Sequence, residues 1–392
     1  MSDVPVTEWI FDSLGAPTRY GRSYVVNKLS VAERDQLHVD CVNAGQITYI
    51  PSVASTGLLP GIDPTDLTPV GDGTTEVAAV WGTTQRTNQI IWGQLNPSTS
   101  SQSSLYNCWV AGPRPDLVDA NPNSTGMIRE VSNSARVWKA QHTVFNPWAW
   151  TMPELNPPGG AWSVEDFLYL AKNSIGIRGG RFQLDNCEVT GTQDPFNIFS
   201  TLTSSTTDEL ITNSAYMRHC WLHAALYYRG PLYPSQPEGT HSDLFQWSRP
   251  QYFTQEYNMF GGPDGDLSGY ALTPSKETSD GAHNSGNMAQ QENPGGALGY
   301  VQHVTVRRNI YWQHTGAESN GYNINHYYNQ SYPNNMATVD FTDNLHVRRS
   351  DGKYVIVSSA YHDLHVGHRI IDMNEGGTSW TDGGAVTLTG GG

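Results

Sequence analysis

One short segment brings a histidine and two carboxylates together: Glu238, His241 and Asp243 lie within six residues. Residues two apart on a β-strand point to the same face, so we expect His241 and Asp243 to lie side by side. An imidazole beside a carboxylate can act as a general acid or base. We therefore predict these three residues as the catalytic candidates. The alternative is that His241 and Asp243 hydrogen-bond a neighbouring loop and only stabilise the fold.

Two kinds of glycan cleavage are compatible with such residues. Hydrolysis of a glycosidic bond uses two carboxyl groups about 5–10 Å apart, and Asp194 is a further acid that could complete such a pair. A lyase needs a basic residue to remove a proton beside a carboxylate, and Arg218 is one candidate. The sequence leaves open whether the chain is an enzyme.

A glycine-rich run places Asp264 and Asp266 two residues apart. Their oxygens could bind Ca²⁺, although a plain turn explains the same composition. The sequence has no Cys-x-x-Cys spacing, so no zinc site is expected. Apart from the Ca²⁺ alternative, we predict no metal and no cofactor.

Aromatic and amide side chains surround the His241 segment and recur later in the chain. Aromatic rings present apolar faces that stack on sugars, and their polar tips form hydrogen bonds. The predicted glycan-binding residues are Tyr227, Tyr228, Tyr233, Gln246, Trp247 and Trp312. Core packing or a subunit interface would use the same aromatic residues equally well. The pairs Arg307–Arg308 and Arg348–Arg349 add a small basic strip that could meet an acidic partner or an anionic sugar.

The elements that must position these residues are indicated by a repeated spacing. Phe182, Leu184, Cys187 and Val189 are separated by two, three and two residues. Steps of two follow one face of a strand, and the step of three requires a tight bend between two short strands. A bent strand pair that recurs without helices predicts a β-solenoid. A β-sandwich or a propeller is the alternative fold.

The third position of the repeat forms a predicted core ladder. Its members are Cys108, Thr143, Cys187, Cys220, Asn309 and Asn344. Their intervals are 33 to 44 residues, except for 89 residues between Cys220 and Asn309, so we expect another repeat at 253–260. The spacing fails after Asn344, where His346 occupies an apolar position. Stacked cysteines at an inward position behave as small apolar residues, so we expect them to be reduced.

Composition narrows the class of protein. The chain has 392 residues, a net charge of −15, 15% charged residues and 39 glycines, which is typical of a β-rich and loop-rich protein. An acidic surface repels phosphate backbones, so nucleic-acid binding is not expected. No apolar stretch is long enough to span a bilayer. The N-terminus lacks the features of a secretory signal, so synthesis in a cytoplasm is expected.

The chain divides into three predicted regions. Residues 1–80 would form a small N-terminal attachment or capping module with a linker, including a short helix at 30–37. Residues 81–375 would contain the repeats, with long loop insertions at 261–298 and a short helix at 162–172. Residues 376–392 would form a flexible glycine-rich tail.

Three segments of the repeat region resemble a known family. They are Leu-Asp-Asn-Cys-Glu-Val at 184–189, His-Cys-Trp-Leu-His at 219–223 and Gly-Thr-His-Ser-Asp-Leu-Phe-Gln at 239–246. They resemble right-handed parallel β-helix proteins of the pectate-lyase-like kind, over residues 85–375. In that family the bend between the second and third strands of a coil is short and often carries Asn. The resemblance implies an all-β, right-handed parallel β-helix.

The absence of a secretory signal, the distinct N-terminal region and the glycine tail add a second resemblance, to bacteriophage tailspikes and minor tail proteins. It implies a virion protein, made in the host cytoplasm, that binds host surface polysaccharide and contacts other tail proteins. It further implies a homotrimer. The alternatives are a polysaccharide depolymerase, acting as a lyase or glycoside hydrolase, and a purely structural virion protein.

Overall fold

The computed structural model describes residues 62, 64–74, 85–97, 103–120, 126–129, 137–171, 174–178, 181–199, 211, 214–223, 225–228, 244–248, 251–260, 276–279, 285–290, 302–312, 322–327, 339–349, 357–359, 364–373, 380–385 and 389–390. Most regular structure in these segments is β-strand, which is compatible with the predicted all-β fold. Two short helices are α1 (Pro115–Ala120) and α2 (Val164–Leu170). Three 3₁₀ turns lie at Pro64–Asp66, Pro147–Thr151 and Pro153–Leu155.

The strands follow one another in short segments. In chain order they are β1 (Thr68–Val70), β2 (Gln85–Thr87), β3 (Gln89–Trp92), β4 (Ser104–Gly112), β5 (Ile128–Arg129), β6 (Trp138–Phe145), β7 (Ile175–Arg178), β8 (Phe182–Thr190), β9 (Asp194–Phe199), β10 (Ala215–Arg218), β11 (Trp221–His223), β12 (Ala225–Tyr228), β13 (Gln246–Ser248), β14 (Gln251–Glu256), β15 (Met259–Phe260), β16 (Lys276–Ser279), β17 (Ser285–Gln290), β18 (Gln302–Arg307), β19 (Ile310–Trp312), β20 (Tyr322–Tyr327), β21 (Val339–Thr342), β22 (Leu345–Arg349), β23 (Val357–Ser359), β24 (Leu364–Val366), β25 (Arg369–Met373), β26 (Trp380–Ala385) and β27 (Thr389–Gly390).

Most strands belong to two sheets in which the pairing is parallel. The larger sheet has 17 strands, and the smaller has the eight strands β5, β7, β9, β13, β17, β20, β23 and β27. The chain alternates between the sheets, and each strand pairs in parallel with its counterpart in the next repeat, as in β4–β6–β8 and β5–β7–β9. An antiparallel pair forms between β25 and β26 at the end of the larger sheet. Strands β12 and β16 form a separate antiparallel pair.

The repeats of the larger sheet bend at a residue with positive φ that recurs at one register position. Strands β4, β6 and β8 run through the bend, whereas later repeats are divided there, as between β10 and β11. The bend column consists of Asn88, Asn107, His142, Asn186, His219, Tyr257, Arg308, Asp343 and Gly367, with φ between 49° and 75°. A left-handed residue reverses the alternation of side chains, so the next inward side chain comes three residues on instead of two. This conformation costs a non-glycine residue about 1–2 kcal/mol, with Asn least affected.

The residue after each bend points inward. All six members of the predicted core ladder occupy this position and are fully buried, and Cys108, Thr143 and Cys187 pair directly across β4, β6 and β8. Asn258 occupies the same position within 253–260, where another repeat was expected. Burial raises the pKa of the Cys108 and Cys220 thiols, which keeps them protonated.

Three buried asparagines connect the later repeats through their amides. The Asn258 side chain donates to Asn309 Oδ1 at 3.0 Å, and the Asn309 side chain donates to Asn344 Oδ1 at 3.1 Å. The backbone N–H groups of Cys220, Asn258 and Asn309 also donate to the next amide oxygen, at 2.9–3.0 Å. These bonds satisfy polar groups that are costly to bury alone.

The spacing was expected to fail at His346, but His346 continues the repeat. It pairs in register with Tyr311, is fully buried and stacks on the Tyr311 ring at 5.5 Å. His346 Nε2 lies 2.9 Å from His368 Nδ1, and His368 Nε2 donates to the Phe341 carbonyl at 3.2 Å. Burial lowers the pKa of His368. The two imidazoles therefore hydrogen-bond each other where the pattern calls for apolar side chains.

A second hydrophobic cluster covers the outer side of the early repeats. Trp92, Trp109, Trp148, Trp150 and Phe167 are buried in it. Phe167 comes from α2, whose N-cap Ser163 accepts a hydrogen bond from the Asp166 backbone N–H at 3.0 Å. The short helix expected within 162–172 is thus present, and it packs these repeats from outside.

The described strands extend beyond the predicted region boundaries. Strand β1 lies within 1–80 and pairs in parallel with β3. Strands β26 and β27 lie in the segment predicted as a flexible tail, and both are paired. The segment predicted as a long loop contains β16 and β17, and β17 joins the smaller sheet. The helix expected at 30–37 lies outside the described residues.

Candidate functional site

The catalytic candidates from the sequence are not placed by this structure. Glu238, His241 and Asp243, together with Tyr233, lie outside the described residues, as do the Ca²⁺ candidates Asp264 and Asp266. Tyr227 and Tyr228 are in β12, Trp247 is in β13 and Trp312 is in β19. Gln246 begins β13, and its Oε1 accepts a hydrogen bond from Asn197 Nδ2 at 2.8 Å across the smaller sheet. The structure therefore ties Gln246 to sheet pairing.

A different group of chemically active side chains meets on the outer surface of the larger sheet beside the bend. We call it the bend face, and it consists of Asp185, Tyr216, Arg218, His219, Glu256, Tyr257, Arg307 and Arg308. The parallel register places Asp185 beside Arg218, Arg218 beside Glu256, and Glu256 beside Arg307. His219, Tyr257 and Arg308 are the adjoining bend residues.

Glu256 is clamped between two arginines of the bend face. Its Oε1 lies 2.8 Å from Arg218 Nε, and its Oε2 lies 2.7 Å from Arg307 Nη2. The Glu256 side chain is 7% exposed, whereas those of Arg218 and Arg307 are 41% and 44% exposed. The carboxylate therefore lies beneath the guanidinium groups, and the arginines face solvent. Arg218 also lies over the Tyr216 ring, 4.5 Å from its centroid.

His219 is oriented by contacts on two sides. Its Nδ1 lies 2.8 Å from Asp185 Oδ1, and its ring stacks on Tyr257 with 5.7 Å between centroids and a 15° interplanar angle. The side chain is 26% exposed. A carboxylate at Nδ1 leaves Nε2 as the remaining ring atom for proton transfer or hydrogen bonding. Asp185 and His219 are thus arranged for the acid–base role that was assigned to His241 and Asp243.

Arg308 completes a stack of planar groups along the bend. Its Nη1 donates to the Tyr257 hydroxyl at 2.5 Å, and its guanidinium lies 5.7 Å from the Tyr257 ring centroid. This hydrogen bond raises the pKa of Arg308, and burial raises the pKa of Tyr216. The residues present flat apolar surfaces and hydrogen-bonding edges, a combination suited to ligands with both properties.

The bend face was only partly foreseeable from the sequence. Arg218 and the Arg307–Arg308 pair were singled out, but Asp185, His219 and Tyr257 were not connected with them. The residues lie in four repeats, and their proximity depends on the strand register. The alternation of Asp185, Arg218, Glu256 and Arg307 at equivalent positions of the repeat is the signal that could have revealed it.

Metal and membrane features are lacking in the described part of the chain. There, no group of three or more histidines, cysteines and carboxylates could hold a metal ion. No helix among the described residues is long and apolar enough to cross a membrane.

Comparisons with known proteins find no relative for this chain. No protein-family model, curated protein or solved structure matches it.

Proposed function

We propose that the chain is a right-handed parallel β-helix in which the two parallel sheets enclose the main hydrophobic core. Three observations support this fold. The chain alternates between the sheets, counterpart strands pair in parallel, and the bend recurs at one register position. The buried residues of both sheets belong to one cluster, which includes Ile128 and Phe196 of the smaller sheet and Leu184 of the larger.

On this scaffold, we propose that the protein binds a host cell-surface polysaccharide through the bend face, as a tailspike-like or minor tail component of a phage virion. The carrying observation is the stack of His219, Tyr257 and Arg308, which exposes ring and guanidinium surfaces on successive repeats. Successive strands are about 4.8 Å apart, so an elongated ligand could contact one repeat after another. The virion setting, other tail proteins as partners and a homotrimer follow from the family resemblance alone.

A second candidate function is cleavage of the bound polysaccharide. It is favoured by the contact between His219 and Asp185, because a histidine oriented by a carboxylate can transfer a proton. A structural virion protein without glycan contact is the third alternative. It predicts that the bend face is covered by neighbouring subunits in the assembly.

Chromatography of the purified protein with bacterial surface polysaccharides separates these functions. We expect the polysaccharide to co-elute with the protein, and Tyr257→Asn to weaken this binding because Asn fits the positive φ while removing the ring. Tyr169→Asn is the matched control, since Tyr169 is 49% exposed on α2 and lies outside the bend face. Shortened polysaccharide would establish cleavage. If every polysaccharide tested stays intact and elutes separately from the protein, glycan binding is rejected and the structural alternative remains.

A further inference from the structure

We infer that the bend face selects an anionic polysaccharide, with Arg308 as the residue that contacts its acidic groups. This inference rests on the proposed glycan-binding function and names the chemical class of the ligand. It follows from which charges of the bend face reach solvent and which are already paired.

The exposed charges of the bend face are predominantly positive. Glu256 is the acid that Arg218 and Arg307 share, and its side chain is only 7% exposed beneath theirs. One carboxylate between two guanidinium groups leaves one positive charge in excess. The negative charge of Asp185 is directed at His219 Nδ1. Asp185 is itself 36% exposed, so the carboxylate that lies beneath guanidinium groups is that of Glu256, and the three arginines outnumber the one exposed acid of the bend face.

Arg308 is exposed and has no carboxylate within ion-pairing distance among the described residues. Its hydrogen bond to the Tyr257 hydroxyl fixes the side chain, while the other guanidinium N–H groups remain able to donate. The nearest acid along the bend column is Asp343, one repeat further on, and it acts on Arg308 only at longer range. An oriented guanidinium with unused donors is suited to bind a carboxylate or sulfate in a bidentate manner.

The net charge of the whole chain makes the positive charge of the bend face more important for selecting a ligand. A protein with a net charge of −15 repels anionic polymers over most of its surface. An acidic glycan would therefore be accepted where the guanidinium groups of the bend face compensate for that repulsion. Nucleic acid carries a closely spaced row of phosphates and would contact the acidic surface well beyond these four repeats.

An array of neutral and acidic bacterial surface polysaccharides tests the inference on the full chain. The acidic polysaccharides that bind are then carboxyl-reduced, which converts each carboxylate to an alcohol without changing the backbone. We expect binding to acidic members, at least a tenfold loss on carboxyl reduction, and weaker binding at higher salt. Sulfated members that bind are tested after desulfation, which separates the two sources of charge. A double-stranded DNA fragment is included, and we expect it not to bind.

Arg308→Gln should reduce affinity for the acidic glycan about tenfold, whereas Arg114→Gln should leave it unchanged. Arg114 is the matched control because it is 41% exposed, pairs with Asp116 and lies outside the bend face. Binding only to neutral glycans, or binding unaffected by carboxyl reduction and by Arg308→Gln, would overturn the inference and leave glycan binding intact. Binding to DNA that is lost in Arg308→Gln would also overturn it. No binding to any glycan would reject the proposed function itself.

Discussion

His142 is a buried histidine in the bend column, and its titration opposes folding in acid. Asn186 Nδ2 donates to His142 Nδ1, and burial lowers the pKa of His142 to about 4 from its usual 6.5. The folded state therefore binds fewer protons than the unfolded state between these values. The resulting stability is complete above pH 6.5, declines as pH falls through this window and is lost below about pH 4.

His142→Asn should reduce this acid sensitivity, because Asn accepts the positive φ and does not titrate. We expect the drop in melting temperature between pH 7.5 and pH 4.5 to be smaller in the variant than in the parent protein. His303→Asn is the control, since His303 also has positive φ but is exposed. Equal drops in His142→Asn and the parent would contradict the buried neutral state of His142.

Asn309 joins neighbouring repeats through hydrogen bonds on both sides. Its Oδ1 accepts from the Asn258 backbone and side chain in one neighbouring repeat, and its Nδ2 donates to Asn344 Oδ1 at 3.1 Å in the other. Asn309→Ala leaves buried polar groups unsatisfied, so the free energy of unfolding should fall by about 2 kcal/mol or more. Chemical denaturation measures the change, with outward-facing Thr305→Ala as the control. A loss in Asn309→Ala no larger than in the control would show that the amide ladder contributes little.

At the scale of elements, the bend depends on residues that tolerate positive φ. Asn107 has φ 50°, and its Nδ2 donates to Asn88 Oδ1 at 2.7 Å in the neighbouring repeat. Asn107→Val should reduce the free energy of unfolding by about 2 kcal/mol, because a β-branched residue is strained in this conformation. Asn107→Gly removes the same amide without that strain and should cost less than about 1 kcal/mol. If both variants lose a similar amount of unfolding free energy, the loss comes from the missing hydrogen bond and not from backbone strain.

The elements were predictable from sequence where their residues follow one rule. The two-three-two spacing around Cys187 indicated inward positions because small and apolar side chains recur there, and the step of three indicated the bend. His346 and His368 are exceptions to that rule, because their rings hydrogen-bond each other inside the core. A sequence pattern does not reveal a hydrogen-bond partner 22 residues away. The outer aromatic cluster around Trp150 was also missed, since it forms between the repeats and the segment that contains α2.

At the scale of the whole molecule, the bend face depends on strand register. The candidate site indicated by sequence was the local segment around His241, whereas the bend face assembles Asp185, His219 and Arg308 from repeats that are 34 and 89 residues apart. Parallel pairing brings such distant residues together, so the site becomes visible in the sequence only when the repeats are aligned in register. The same regularity would make any ligand of the bend face contact several repeats at once.

Photo-crosslinking with an oligosaccharide from a bound polysaccharide tests the location of this site most directly. The oligosaccharide carries a photoreactive group, and mass spectrometry of the digested protein identifies the labelled peptides. We expect labels on peptides that contain Tyr216–His219, Glu256–Tyr257 and Arg307–Arg308, with fewer labels on Tyr257→Asn. Labels confined to residues 227–247, around His241, would contradict the bend face as the binding site.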